Sequence, residues 1–280
     1  MTWLRTHPLA GFILLAYGIS YLFGVPFLLV MLAWAPAASP PLHTYVSRLF
    51  VVYGPGLAAL TLAYVGSASG GDARAMVRLL RPTVHDVPWT LGVVAAATAA
   101  AMFALLLSGV PLSTLREVVA SAYPLLLAHF ALQLTIVATG EELGWRGWLL
   151  PALLRRSTRL RATLIVAVVW GLWHMPLLLS SVLSAVMFLV GVTGLSLIFT
   201  WLWSHTGGRL FVVVVAHAAV NTPVFFWEQV SGRFGISPVR VVGVWYSLEA
   251  LYAAIGLILL LTRWNWWHAR ALSHPAHVPS

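Results

Sequence analysis

Three fragments of this sequence hold side chains that could do chemistry together: Glu141-Glu142-x-x-x-Arg146, His174, and His217-x-x-x-Asn221. A carboxylate can take a proton from water, and imidazole or amide groups can hold that water or donate to a developing oxyanion. With Glu141 as base, His174 as water holder, and His217 and Asn221 as oxyanion donors, the set suits hydrolysis of an amide without a covalent intermediate. A second arrangement of the same groups is a zinc site in which Glu141, His174 and His217 are ligands and the open position carries the water. The His-Glu-x-x-His helix signature is absent, so such ligands would have to come from three helices. No cofactor is favoured, and zinc is the alternative.

The acids and Arg146 interrupt an otherwise apolar stretch, Thr139 to Pro151. Their setting follows from composition. Of 280 residues, 60% are apolar and 8% charged, against about a quarter charged in soluble proteins. This implies a polytopic, all-α membrane protein, in which each ionisable group at membrane depth is a functional hypothesis. The net charge of +9 comes from 16 arginines against seven acids, with no lysine. The arginines fall in short gaps between apolar runs, where they set topology and meet anionic headgroups; nucleic acid is not the expected partner. The lack of cysteine removes disulfides, thiolate metal sites and thiol nucleophiles from consideration.

A spanning helix needs about 20 apolar residues. Eight windows qualify: Leu9–Ala35, Thr44–Val65, Pro88–Ser108, Tyr123–Leu154, Ala162–Ser181, Leu183–Ser204, Leu210–Glu228 and Val239–Arg263. The fourth is overlong and is expected to project, tilt or kink near Pro124. The first run is too long for a secretory signal of about 7–15 apolar residues, so it reads as a retained span, with cleavage at Ala35-Pro-Ala37 the lesser alternative. We expect one membrane domain over 1–280, a motif-bearing core at about 121–228, and an aromatic belt leading into a disordered tail over 264–280. A metal site at His268, His274 and His277 is a weak further idea. Eleven arginines, from Arg5 to Arg270, would lie on one face of an eight-span arrangement and Arg48, Arg116, Arg233 and Arg240 on the other. That bias predicts both termini in the cytoplasm of an inner or plasma membrane. Residues 72–81 carry Arg74, Arg78 and Arg81 at helical spacing, which fits a surface amphipathic helix or a plain basic connector.

Depth can be counted along the fourth and fifth windows. Glu141 lies 16 residues before Ser157 in their connector and His174 lies 17 residues after it. Equal counts at about 1.5 Å per residue mean equal depth; azimuth is left open. His217 and Asn221 are four apart and share a helix face, and Glu142 and Arg146 have the same spacing, acid first. Their pairing would leave Glu141, about 100° around the helix, for chemistry.

These motifs resemble those of the CPBP family of CAAX prenyl endopeptidases and bacteriocin-processing proteins, also called Abi proteins. Glu141-Glu142-x-x-x-Arg146 is similar to its Glu-Glu-x-x-x-Arg motif, and His217 and Asn221 to its His-x-x-x-Asn motif. His174 stands at the histidine of its aromatic-x-x-x-His motif, with Trp170 where phenylalanine is usual. The resemblance covers about residues 139 to 222. It implies an eight-helix intramembrane endopeptidase, glutamate-dependent or zinc-dependent, acting on a peptide or membrane-protein substrate near the cytoplasmic leaflet, with Glu142, Arg146 and Trp170 in support. The rivals are a catalytically silent scaffold or immunity protein on the same fold, and a proton-coupled transporter, which would need a continuous polar path. For His129 and Glu249, also at membrane depth, we expect structural partners.

Overall fold

The computed structural model describes residues 2–34, 41–66 and 71–270. The protein is an all-α polytopic membrane protein, with no strand among the described residues. Among the described residues, seven helices are long and apolar enough to cross a bilayer: Pro8–Ala33, Leu49–Gly66, Val84–Leu107, Leu112–Leu154, Val182–His205, Leu210–Phe234 and Pro238–Thr262. Their outer faces carry large apolar side chains such as Leu22, Phe23 and Leu261, as expected where the solvent is hydrocarbon rather than water. The helix bearing His217 and Asn221 is the exception, with 67% of its window buried against 28% for the helix that follows. It is the central post of the bundle.

The window at 162–181 departs from the eight-span expectation. It forms a helix of only 15 residues, Arg159–Trp173, followed by the single turn Met175–Leu178. Thr158 starts it by accepting from the Arg161 backbone N–H at 3.3 Å, and it stops at His174, whose φ of −87° and ψ of 29° leave the helical well. Pro176 contributes to the stop, because it has no N–H to continue the ladder. At about 22 Å the helix falls short of the ~30 Å hydrocarbon thickness, so His174 sits at a helix end inside the bundle. The first span fixes that end: Tyr17 donates to the Val169 carbonyl at 2.7 Å, and Ser20 accepts from the Trp173 indole at 2.9 Å.

The acidic helix runs from Leu112 to Leu154, 43 residues, or about 64 Å, twice the hydrocarbon thickness. It begins earlier than the apolar pattern suggests and takes in Arg116 and Glu117. Pro124 lies inside regular α-helix; the interruptions are π-helical turns at Gln133–Ala138 and Trp145–Leu149. The α-turn Thr139–Gly144 between them carries both glutamates. Such widened turns re-aim side chains and occur at functional sites. Glycines let the neighbouring helix Leu49–Gly66 approach this turn closely. A Cβ on Gly140 would lie 2.8 Å from the Val52 carbonyl oxygen, and one on Gly56 would lie 2.6 Å from that of Gly140.

Gly71–Arg78 is a helix with Met76 buried on its inner side, as an amphipathic surface helix requires. Close by, Arg209 at the start of the central helix meets Asp86 at 2.6 Å. Of the tail, Trp264–His268 forms a helical turn whose Trp267 is fully buried, and the Arg159 guanidinium lies 4.7 Å over the Trp266 ring. Ala35-Pro-Ala37, His274, His277 and the rest of 271–280 lie outside the described residues.

Candidate active site

Glu141 and Glu142 are both buried, at 2% and 0% exposure, so each needs partners or it would not remain as a charge. Adjacent residues on a helix diverge by about 100°, and the two find different partners. Glu142 Oε1 accepts from Arg146 Nη1 at 2.8 Å and from His217 Nδ1 at 2.7 Å. Arg146, also fully buried, donates to Ser196 Oγ at 3.3 Å and lies face-on between the rings of Trp170 at 4.5 Å and Phe199 at 5.0 Å. Stacking of this kind suits guanidinium, which is weakly hydrated and planar.

Glu141 Oε2 accepts from the indole N–H of Trp170 at 2.7 Å and of Trp145 at 3.4 Å. No hydrogen bond among the described residues reaches its Oε1. Glu141 thus has one oxygen held and one oxygen uncommitted. Across from it, at the end of the short helix, His174 Nδ1 donates to the Trp170 carbonyl at 2.9 Å. A carbonyl only accepts, so Nδ1 carries a proton, and the ring in its neutral form presents Nε2 as an acceptor.

Trp170 is the hub of this arrangement. Its indole N–H holds Glu141, its carbonyl holds His174, and its ring lies against Arg146 and, 5.5 Å between centroids, against His217. Asn221, one turn beyond His217, is half-buried and donates from Nδ2 to Gln133 Oε1 at 3.5 Å. The sequence reading places Trp170 only in support of the site and does not single out Trp145. The i, i+4 spacing of Trp145 from Glu141 and of Trp170 from His174 was the available signal for both. Ser196 gave none, being one small polar residue in an apolar run. Gln133 was a bare amide in an apolar helix, which is a signal of the same kind as His129.

The two other polar residues at membrane depth differ. His129 has side-chain partners in Tyr45 and Gln229. Glu249 Oε2 sits in the notch left by Gly191 and has no hydrogen-bond partner among the described residues. As to zinc, among the described residues no three His, Cys, Asp or Glu side chains converge as metal ligands would. Nδ1 of His174 and of His217 faces a protein acceptor, so an ion there would have to take the Nε2 atoms and Glu141 Oε1; no step below uses one.

Residues 123–223 match the family model described as type II CAAX prenyl endopeptidase Rce1-like. Glu141, Glu142, Arg146, Trp170, His174, His217 and Asn221 all fall inside that segment. The chain is also similar to CAAX prenyl protease 2 of Methanococcus maripaludis, at 26% identity over 99 residues, covering 31% of this chain and 36% of that protein. The match thus spans about a third of the relative's length.

Proposed function

From the chain's membership of the CPBP family through its segment 123–223, we propose that this multi-pass membrane protein is an intramembrane endopeptidase that activates water with Glu141. The observation that carries the reading is the buried Glu141 carboxylate, tethered at Oε2 by two indole N–H groups and uncommitted at Oε1. A water between Glu141 Oε1 and the acceptor Nε2 of His174 gives a proton to each direction of contact: one hydrogen points at the carboxylate and the other at the imidazole.

The water oxygen attacks the peptide carbonyl carbon as Glu141 takes the first proton. The carbonyl oxygen becomes an oxyanion, and the donors for it are Asn221, which has a second N–H beyond the one on Gln133, and His217. As imidazolium, His217 would keep Nδ1–H on Glu142 and offer Nε2–H to the oxyanion, and the four groups Glu141, Glu142, Arg146 and His217 would sum to zero charge. Collapse of the intermediate breaks the C–N bond, and the proton held by Glu141 passes to the leaving amine. Preorganised donors in such a dry site can each contribute about 10²–10³ in kcat.

The substrate in this reading is a peptide or membrane-protein segment presented from the bilayer. The arginine distribution supports a site near the cytoplasmic leaflet of an inner or plasma membrane, with both termini on the cytoplasmic side when the short segment 159–178 completes the eighth crossing. The test is cleavage of a membrane-peptide library by purified protein, with and without chelator. Cleavage that survives chelation and is lost in Glu141→Gln is expected; full cleavage by Glu141→Gln would overturn the assignment.

A further inference from the structure

The neighbours of Asn221 on the side away from the acids form a chain. Asn221 Nδ2 donates to Gln133 Oε1 at 3.5 Å, Gln133 Nε2 donates to Tyr45 Oη at 3.2 Å, Tyr45 Oη meets His129 Nδ1 at 2.9 Å, and His129 Nε2 meets Gln229 Oε1 at 2.6 Å. Three of the five side chains are buried, Gln133 and Tyr45 at 0% exposure and His129 at 2%. The members come from the short helix Pro41–Ser47, the acidic helix and the central helix. Asn221 and Gln229 are eight residues apart on the central helix, so the chain runs about 12 Å alongside it, from the site to an exposed side chain.

Donor inventory gives the chain one direction. The oxygen of Gln229 only accepts, so His129 carries its proton on Nε2 and its Nδ1 is an acceptor. The Tyr45 hydroxyl therefore donates to His129 and is left to accept from Gln133 Nε2. That commits Gln133 Oε1 to face Asn221, which must turn its NH₂ toward it. Each bond fixes the next, and the three buried members, Gln133, Tyr45 and His129, are held to one arrangement by them. Gln133 is also the first residue of the π-helical turn that precedes the acids, so the same widened backbone turn separates the amide that meets Asn221 from the carboxylate that meets Trp170.

We infer that Gln133 is a positioning residue for Asn221, and that Tyr45 and His129 set the orientation in which Gln133 holds it. This rests on the reading of Asn221 as an oxyanion donor. Arg48 and Glu228 are the charged groups beside Tyr45, and the aromatic ring of Phe226 lies against His129. An amide in the middle of the chain does not pass protons readily, so the chain orients rather than conducts.

The test uses full-length protein and two readouts. In cleavage assays, Gln133→Met is expected to lower kcat by about 10- to 100-fold with KM within twofold, and Gln133→Glu, which keeps an acceptor for Asn221 but loses the donor to Tyr45, is expected to restore only part of it. Unchanged kcat in Gln133→Met would overturn the inference, as would a loss confined to thermal stability. Independently of activity, spectra of isotopically labelled histidine and side-chain amides should show His129 as the Nε2–H tautomer. The Asn221 amide signal should shift in both Gln133→Met and Tyr45→Phe. An inactive wild type with these shifts intact would overturn the peptidase reading while supporting the chain; an Asn221 signal indifferent to Tyr45→Phe would overturn the chain.

Discussion

Glu141 and Glu142 are adjacent in sequence and equally buried, yet their surroundings differ in kind. Glu142 is bound by charge, with a guanidinium and an imidazole on one oxygen, while Glu141 is bound only by neutral indole N–H groups on one oxygen. A carboxylate that is one half of a buried ion pair is held for architecture, because losing its partner leaves an uncompensated charge. Glu142 Oε2 also lacks a hydrogen-bond partner among the described residues, so what separates the two acids is the ion pair on Glu142 against the neutral tether on Glu141. The turn of about 100° between consecutive residues is what allows a single dipeptide to serve both purposes.

That division can be attacked from each side. The largest effect is expected on the Glu142 side. Arg146→Met removes the cation from a fully buried pair and should cost about 3–5 kcal/mol of stability, read as a lowered unfolding midpoint in detergent; a midpoint within a degree or two of wild type would deny the pair its architectural role. Next is Asn221→Ala, which leaves the ion pair alone. It should lower kcat by about 10²–10³, or roughly 2.7–4 kcal/mol, with little change in unfolding midpoint, and a change in KM alone would remove Asn221 from the oxyanion site. The smallest effect belongs to Trp170→Phe. A hydrogen bond to a charged acceptor is worth about 1.5–3 kcal/mol, part of which water can replace. We expect kcat to fall by about tenfold with the protein still folded. An inert substitution would mean that the indole tether does not hold Glu141.

Much of this could be read in the chain because a membrane makes polar residues scarce. The i, i+4 step from Glu142 to Arg146 and the equal count from Ser157 to Glu141 and to His174 needed nothing more than helical rise. The parts that stayed hidden depend on azimuth and backbone detail. Depth counting cannot say that Trp170, one turn before His174, is the residue that reaches Glu141. An apolar run does not reveal the π-turns on either side of the acids, or that the short helix stops at His174 and leaves seven span-length helices among the described residues. The Gln133–Tyr45 contact joins residues 88 apart in sequence, through a short helix whose composition gives no hint of its depth.

The central claim is the separation of roles within one dipeptide, and the direct measurement compares Glu141→Gln with Glu142→Gln for both cleavage and unfolding midpoint. The account predicts that Glu141→Gln unfolds near the wild-type midpoint with no detectable cleavage, and that Glu142→Gln unfolds well below it. A Glu141→Gln protein that still cleaves, or a Glu142→Gln protein as stable as wild type, would contradict it.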